Sequence, residues 1–199
     1  MAPSPIQSWL ERQDQELVDV IKQDVKHHIL EIHNRGLSLS GYSILTASHI
    51  SEIYCNVAVF NCESNISQEP TSPLARFSVD EWQNYSDKAF AKTNEVIKKR
   101  NSYFESLCRA QEPLADSLND LSEIHVHKLH ACMIESLAAL RREEVFVGDN
   151  IFLVVWIPDS GPDEIVYRSV KRLNSDAVYR KFVAAIGWDD PLEDIDASL

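Results

Sequence analysis

Hydrophobic residues recur at helical spacing along much of this chain. The first such stripe predicts an amphipathic helix from about Ser8 to Asn34, and Gly36 stands where a helix commonly ends. Its apolar positions follow one another at steps of three, four or seven residues: Leu10, Leu17, Ile21, Val25, Ile29 and Ile32. Similar stripes predict long helices from about Ser86 to Arg109 and from Pro113 to about Arg142.

Three other stretches have the composition of β-strands. GYSILTA from Gly41 and SEIYCNVAVF from Ser51 are separated by a short connection, which predicts an antiparallel hairpin. The run Ile151 to Ile157 is apolar at every position, which predicts a central strand covered on both faces. Two shorter helices follow this strand, and the second is expected to end at Gly187. The pattern therefore predicts an α+β fold, with a small, mainly antiparallel sheet packed against several long helices.

Between the strands and helices lie two polar segments of different kinds. The segment Asn61 to Phe77 carries two prolines and is the longest expected loop, and the following SVDEW motif predicts a capping box from Ser78 to Glu81. The last residues, 188–199, are acidic and contain no basic residue. Because 199 residues suit one domain of ordinary size, we expect a single α+β domain over residues 1–187 followed by an acidic tail.

Charge and composition narrow the range of partners. The chain has 31 acidic residues against 19 lysines and arginines, a net charge of −12, which disfavours nucleic acid and favours a protein with a basic surface. No apolar run is long enough to span a bilayer, and the first residues do not resemble an export signal, so we expect a cytoplasmic protein without membrane contact. The four cysteines show no paired spacing and are expected to be free, mostly buried thiols.

The familiar catalytic and cofactor motifs are missing from the sequence. It contains no glycine-rich phosphate loop, no nucleophile elbow and no zinc protease motif, so we expect no catalytic residues, no cofactor and no metal. The most suggestive stretch is EIHVHKLHAC, which begins at Glu123. On a helix, His125 falls on the apolar stripe, whereas Glu123, His127 and His130 can share another flank. A metal site on this flank is one interpretation, and a buried His125 beside two exposed histidines is the structural one.

Acidic residues also cluster after the apolar strand, at Asp159, Asp163 and Glu164. A structural interpretation explains them as turn residues and as favourable charges at the start of the next helix. The alternative is an acidic patch that a partner recognises. On charge alone, the candidate partner-binding residues are Asp159, Asp163, Glu164, Asp189, Asp190, Glu193 and Asp194.

Three stretches of the chain resemble a known family. SGYSILTASHISEIYCNVAVFNCES, ARFSVDEWQNYSDKAF and FVGDNIFLVVWIPDSGPDEIVYRSVKRLNSDAVYRKF resemble, in order and spacing, a bacterial domain of unknown function catalogued as number 4303. The resemblance extends from about Leu17 to Ile186 and carries no catalytic motif. Within it Trp82 and Trp156 are expected to be core aromatics, and Asn174 is expected to be a cap or turn amide. The resemblance implies a setting among toxin systems, in which small acidic cytoplasmic proteins act as immunity factors.

Together these observations favour a non-enzymatic binding protein, an immunity protein that neutralises a cognate toxin with a basic surface. The first alternative is a metal-dependent hydrolase, which would use Glu123, His127 and His130 with an acid from the predicted loop Asn61 to Phe77. A housekeeping or regulatory domain is the second. The sequence names neither the toxin, nor its activity, nor the contact surface, nor the oligomeric state.

Overall fold

The computed structural model describes residues 4–62, 76–111, 115–146, 151–158 and 163–187. In chain order the first half contains helices α1 (Pro5–Glu11) and α2 (Gln15–Asn34), strands β1 (Leu39–Leu45), β2 (Val57–Cys62) and β3 (Asn84–Ser86), and helix α3 (Ala91–Gln111). The second half contains α4 (Ala115–Arg142), β4 (Phe152–Trp156), α5 (Glu164–Leu173) and α6 (Asp176–Ile186). The predicted α+β fold is confirmed.

The four strands form one mixed sheet in the order β3-β2-β1-β4. The pairs β1 with β2 and β2 with β3 are antiparallel, whereas β1 and β4 run parallel, with Gly41 opposite Phe152 and Leu45 opposite Trp156. The sheet is therefore mainly antiparallel, as predicted, and its parallel pair lies at one end.

Helices cover both faces of this sheet. On one face, the side chains of Tyr42, Ile44, Phe60, Leu153 and Val155 belong to the same buried cluster as the apolar stripes of α2, α3 and α4. On the other face, a second cluster joins strand residues to α5 and α6, and it comprises Val59, Phe152, Val154, Trp156, Tyr167, Val170 and Phe182 among others. The helical and strand periodicities of the sequence therefore correspond to two apolar layers, one on each face of the sheet.

The prediction of one continuous first helix is wrong, because the structure has two helices there, α1 and α2. Asp14 stands at the break and caps α2, accepting a hydrogen bond from the Leu17 amide at 3.1 Å. Its carboxylate also pairs with Arg100 of α3, at 2.7 Å from Nε. Burial alone would raise the pKa of Asp14, but the hydrogen bonds from Arg100 and the Leu17 amide hold it below its usual range. An ion pair with a distant residue therefore fixes the break.

The hairpin is confirmed, but its second strand begins at Val57 rather than at Ser51, because residues 50–54 form turns. The capping box is wrong: residues 79–81 form one 3-10 turn, and the Ser78 side chain makes no capping bond. The strand β3 at Asn84–Ser86 was not predicted, and α3 begins after it, at Ala91. Most of the predicted loop, residues 63–75, and the acidic tail, residues 188–199, lie outside the described residues.

The strand β4 is fully buried, as its sequence predicts, but its predicted central position is wrong because it lies at the end of the sheet. Helix α5 pairs with the outer edge of β4 through two side chains. The Asn174 amide accepts from the Leu153 N–H at 3.0 Å and donates to the Leu153 carbonyl at 2.7 Å. Ser169 Oγ accepts from the Val155 N–H at 3.0 Å. These contacts supply the backbone partners that a fifth strand would provide.

Trp82 and Trp156, the two tryptophans in the stretches that resemble the family, are core residues, as expected. Trp82 lies against β1 so closely that a Cβ on Gly41 would come within 2.5 Å of its ring, which explains why this position carries glycine. Trp156 ends β4 and donates from its indole N–H to Asp80 at 3.0 Å. Asn174 is the C-cap residue of α5, which confirms the expected capping role.

Candidate functional site

An open cleft lies beyond the carboxyl ends of the two parallel strands. It occupies about 590 Å³ and is bounded by the turn after β1, by one side of α4, by Ile157 after β4 and by Asp163 and Ile165 at the start of α5. Its polar lining includes His49, Asn119, Glu123, His127, His130 and Asp163. We call it the α4–α5 cleft. Crevices at this edge of parallel strands are the usual place for ligands in α/β sheets, because the following connections diverge there.

Helix α4 supplies most of the polar wall. Glu123, His127 and His130 recur at steps of four and three residues, so they lie on one side of the helix and reach the same cleft. The prediction that these three share a flank is confirmed. The prediction that His130 is exposed is wrong, because its side chain is only 1% exposed, whereas His127 is exposed.

His130 is held by a contact that defines its tautomer. Its Nε2 lies 3.0 Å from the Ala47 carbonyl, which can only accept, so Nε2 carries the proton and Nδ1 carries a lone pair. Nδ1 is buried and has no hydrogen-bond partner among the described residues. Burial lowers the pKa of His130 to about 4, although the Ala47 hydrogen bond and the charge of Asp163 oppose this shift. The imidazole is therefore neutral at neutral pH.

The third predicted histidine, His125, is located elsewhere. Its ring is fully buried and stacks on Phe104 at 4.3 Å between centroids, and Nε2 lies 3.1 Å from Asn101 Oδ1. The prediction that the imidazoles of α4 do not converge is confirmed. Within the described ranges, no group of three or more His, Cys, Asp or Glu residues is arranged to hold a metal ion.

Asp163 brings the predicted acidic turn to this cleft. It stands at the start of α5, as the structural interpretation expected, and it is also the N-cap, whose Oδ1 accepts from the Ile165 amide at 2.9 Å. Glu164 does not line the cleft and instead pairs with Arg168 at 2.5 Å. Asp159, Asp189, Asp190, Glu193 and Asp194 lie outside the described residues. Of the charge-based candidates, Asp163 is thus the residue that the structure places in the cleft.

The charge of the cleft is one-sided. Glu123 is exposed on α4, and neither it nor Asp163 forms an ion pair with another described residue. No lysine or arginine is among the lining residues in the part of the chain that the structure describes. The floor is apolar and includes Val126, Ile157 and Ile165. Such a site suits a ligand with a positive end and an aliphatic portion.

A second depression, between α1 and α4, differs because its lining includes Lys128 and Asp14, which are already paired within the fold. Lys128 donates to the carbonyls of Trp9 and Arg12 at the end of α1, and Asp14 pairs with Arg100. Burial raises the pKa of the neighbouring Cys132 to about 11, so that its sulfur is a thiol at neutral pH. These groups join α1 to the helical layer. The free, mostly buried thiols expected from the sequence are confirmed, with Cys55 exposed and Cys62, Cys108 and Cys132 buried.

Sequence reasoning missed His49 as a residue of the site. The sequence places His49 in the short connection of the predicted hairpin, and nothing in its neighbours indicates a ligand-binding role. The signal lies in topology: Ser48, His49 and Ile50 follow β1, and β1 runs parallel to β4. A parallel pairing of these two strands would have placed the residues after both of them at one edge.

The fold and the cleft define the class: an α+β protein with an acidic crevice at the carboxyl ends of a parallel strand pair. The chain belongs to the family described as Domain of unknown function (DUF4303), whose profile matches residues 20–175. No curated protein and no solved structure gives a significant match to it. Within the described residues, no helix combines the length and hydropathy that crossing a bilayer requires.

Proposed function

We propose that this protein is a non-enzymatic binding protein, an immunity protein that neutralises a cognate toxin in the cytoplasm by direct association. The observation that carries the proposal is the α4–α5 cleft, in which Glu123 and Asp163 face solvent without a lysine or arginine beside them in the described lining. Two uncompensated carboxylates on rigid elements form a docking point for a basic surface. The net charge of −12 favours encounter with the same kind of surface.

The described carboxyl groups with shifted pKa values form ion pairs within the fold, and none has the shift that a general acid requires. Among the described carboxyl groups with a resolved shift, the pKa values of Asp14, Glu135 and Glu143 are all lowered. For Glu143 the causes are hydrogen bonds from Lys22 and Lys26, which lower its pKa to about 2. A general acid at neutral pH needs the opposite shift. These carboxylates act as fixed anions in ion pairs.

An immunity protein also needs a rigid surface, because flexibility would add an entropic cost to association. The cleft meets this need through its supports. Asp163 is held by the Ile165 amide, and His130 is held by the Ala47 carbonyl. The walls belong to α4 and α5, which pack against opposite faces of β4. A partner therefore meets groups that are already in position.

The experiment is co-expression with the product of the adjacent gene. We expect that product to inhibit growth when expressed alone, growth to recover when this protein is present, and a stable complex to co-purify. A toxin encoded beside a different member of the family serves as the specificity control and should not be neutralised. An adjacent product that neither inhibits growth nor associates with this protein contradicts the proposal.

A further inference from the structure

We propose that the α4–α5 cleft holds an arginine side chain of the partner protein, with Glu123 and Asp163 as its ionic partners. This inference rests on the proposed function, because it names the group that an associating partner inserts. It follows from the acceptors, the floor and the size of the cleft.

The polar groups of the cleft include several acceptors of different kinds. The Asp163 carboxylate uses Oδ1 for the Ile165 amide, and no described residue donates to its other oxygen. The Glu123 carboxylate makes no hydrogen bond with a described residue. His130 is neutral and carries its lone pair on Nδ1, a buried atom without a partner in the described part of the chain. Several buried polar atoms lack a partner among the described residues, and this one belongs to a side chain that lines the cleft.

A guanidinium group matches this set better than the alternatives. It has five N–H donors and no acceptor, and its planar fork suits carboxylates. An ammonium group has three donors around a single point, and a neutral amide would leave two negative charges without compensation. Asn119, which is exposed, and Ser122, which is half-buried, add side-chain oxygens that can accept from the remaining N–H groups. The site is therefore rich in acceptors for a cation with many donors.

The apolar floor fits the rest of an arginine side chain. Val126, Ile157 and Ile165 line the cleft and are buried, and they offer a surface to the three methylene groups that carry the guanidinium. The volume of about 590 Å³ is within the range of about 300–1,000 Å³ that is usual for ligand sites. This leaves room for the side chain and for part of the main chain that presents it.

The first test uses arginine itself, on the protein as it exists. N-acetyl-arginine methylamide is titrated into isotopically labelled protein and followed by NMR, and N-acetyl-citrulline methylamide is the neutral control of the same shape. We expect the arginine compound to cause saturable shifts at the amides of Val126 and Ile165 and at the His130 ring. We expect binding of the citrulline compound to be at least about tenfold weaker. Equal responses, responses elsewhere, or no saturable response overturn the inference.

Paired variants then test the two carboxylates. Glu123→Gln removes one charge, and Asp163→Asn removes the other while keeping an oxygen that can cap α5. We expect the double variant to bind the arginine compound at least about tenfold more weakly, with an unchanged circular dichroism spectrum. Glu95→Gln, an exposed carboxylate of α3 outside the cleft lining, is the matched control and should bind normally. Undiminished binding by the double variant contradicts the assignment.

Association with the toxin separates this inference from the proposed function. If the wild-type protein neutralises its toxin and the double variant does so with equal affinity, the arginine site is wrong and the proposed function stands. If the wild-type protein does not associate with the adjacent product, the proposed function fails, whatever the outcome with the arginine compound. If both the toxin and the arginine compound bind, and the double variant weakens each at least about tenfold, the two proposals are supported together.

Discussion

Three histidines of this chain, His28, His125 and His130, are buried, and each has a contact that suits a neutral ring. Asn101 shows how such a contact is fixed: its Nδ2 donates to the Ile50 carbonyl at 3.0 Å, so its Oδ1 faces His125 and accepts from Nε2. Burial lowers the pKa of His125 to about 4 and also lowers the pKa of His28, whose Nδ1 lies 3.1 Å from the Tyr42 hydroxyl. These rings stabilise the fold only while they are uncharged.

This arrangement predicts a loss of stability in mild acid. The folded pKa of His125 and of His130 is about 4, below the ordinary value of 6.5, so below pH 6.5 the unfolded chain binds protons that the folded protein does not. The free energy of unfolding should therefore fall as the pH decreases from about 7 to about 5. In this window most carboxyl groups of the unfolded chain are still ionised, so the histidines are the main groups that take up protons. The loss continues towards pH 4 and approaches about 3 kcal/mol at most for each histidine.

The measurement is urea unfolding at several pH values in this window. His125→Gln should reduce the slope of stability against pH, because one of the responsible rings is gone. His127→Gln, on the same helix but exposed, should keep the wild-type slope. A slope that does not change in the His125 variant would show that other groups cause the acid sensitivity.

At the scale of elements, the outer edge of β4 is the unusual feature. A buried strand normally has a neighbour on each side, because its backbone groups need partners. Here Ser169 and Asn174 of α5 take that place. Helix α5 therefore contributes both an apolar face and hydrogen bonds to the sheet. The same helix begins at Asp163, so the edge contacts also fix the position of one wall of the cleft.

Asn174→Ala should destabilise the protein by about 1–3 kcal/mol for each of the two Leu153 backbone groups left without a partner. The check combines urea unfolding with hydrogen exchange. The Leu153 amide should exchange faster in the variant, whereas the Val154 amide faces β1 and should change only as far as global stability does. Equal acceleration at both amides would mean that Asn174 does not protect the edge of β4.

The same strand shows what the sequence could predict and what it could not. The run from Ile151 to Ile157 predicts burial on both faces because apolarity reports the side chains. Apolarity does not show how many strands lie beside the backbone. The groups that take the place of a second neighbouring strand are Ser169 in α5 and Asn174 at its C-cap, two isolated polar residues. The break at Asp14 is similar, since its partner Arg100 is 86 positions away. Periodicity shows which face of a helix or strand is buried. The edge of β4 and the break at Asp14 depend instead on contacts between residues that are far apart in the chain.

The candidate site follows the same division. The spacing of Glu123, His127 and His130 on one helix is sufficient to predict their shared flank. The sequence indicates Asp163 only through its charge, because its position beside that flank depends on the parallel pairing of β1 with β4. His49 had no local signal at all. The part of the site contributed by one helix was predictable, and the part assembled by the sheet was not.

At the scale of the whole molecule, charge acts in two ways that kinetics can separate. The net charge of −12 attracts a basic partner over a distance of about 10 Å at 0.1 M salt, and this attraction requires no contact. The carboxylates of the cleft act at contact, where loss of an ionic partner speeds dissociation. On the proposed function, the tail residues Asp189, Asp190, Glu193 and Asp194 contribute to the first effect and Glu123 with Asp163 to the second.

Replacing Asp189, Asp190, Glu193 and Asp194, four of the five acidic residues of the tail, by their amides should therefore lower the association rate with the toxin a few-fold at low salt and leave the dissociation rate unchanged. The difference should shrink as salt is added, because the screening length falls to about 3 Å at 1 M. The double variant of Glu123 and Asp163 should instead raise the dissociation rate, and this effect should persist in salt. Surface plasmon resonance measures both rates.

The matched control replaces four exposed carboxylates elsewhere, Glu11, Glu52, Asp87 and Glu95. It changes the net charge equally and should slow association less than the tail variant. Equal slowing by the two four-residue variants would assign the steering to net charge, and unchanged association in the tail variant would remove the tail from the interaction.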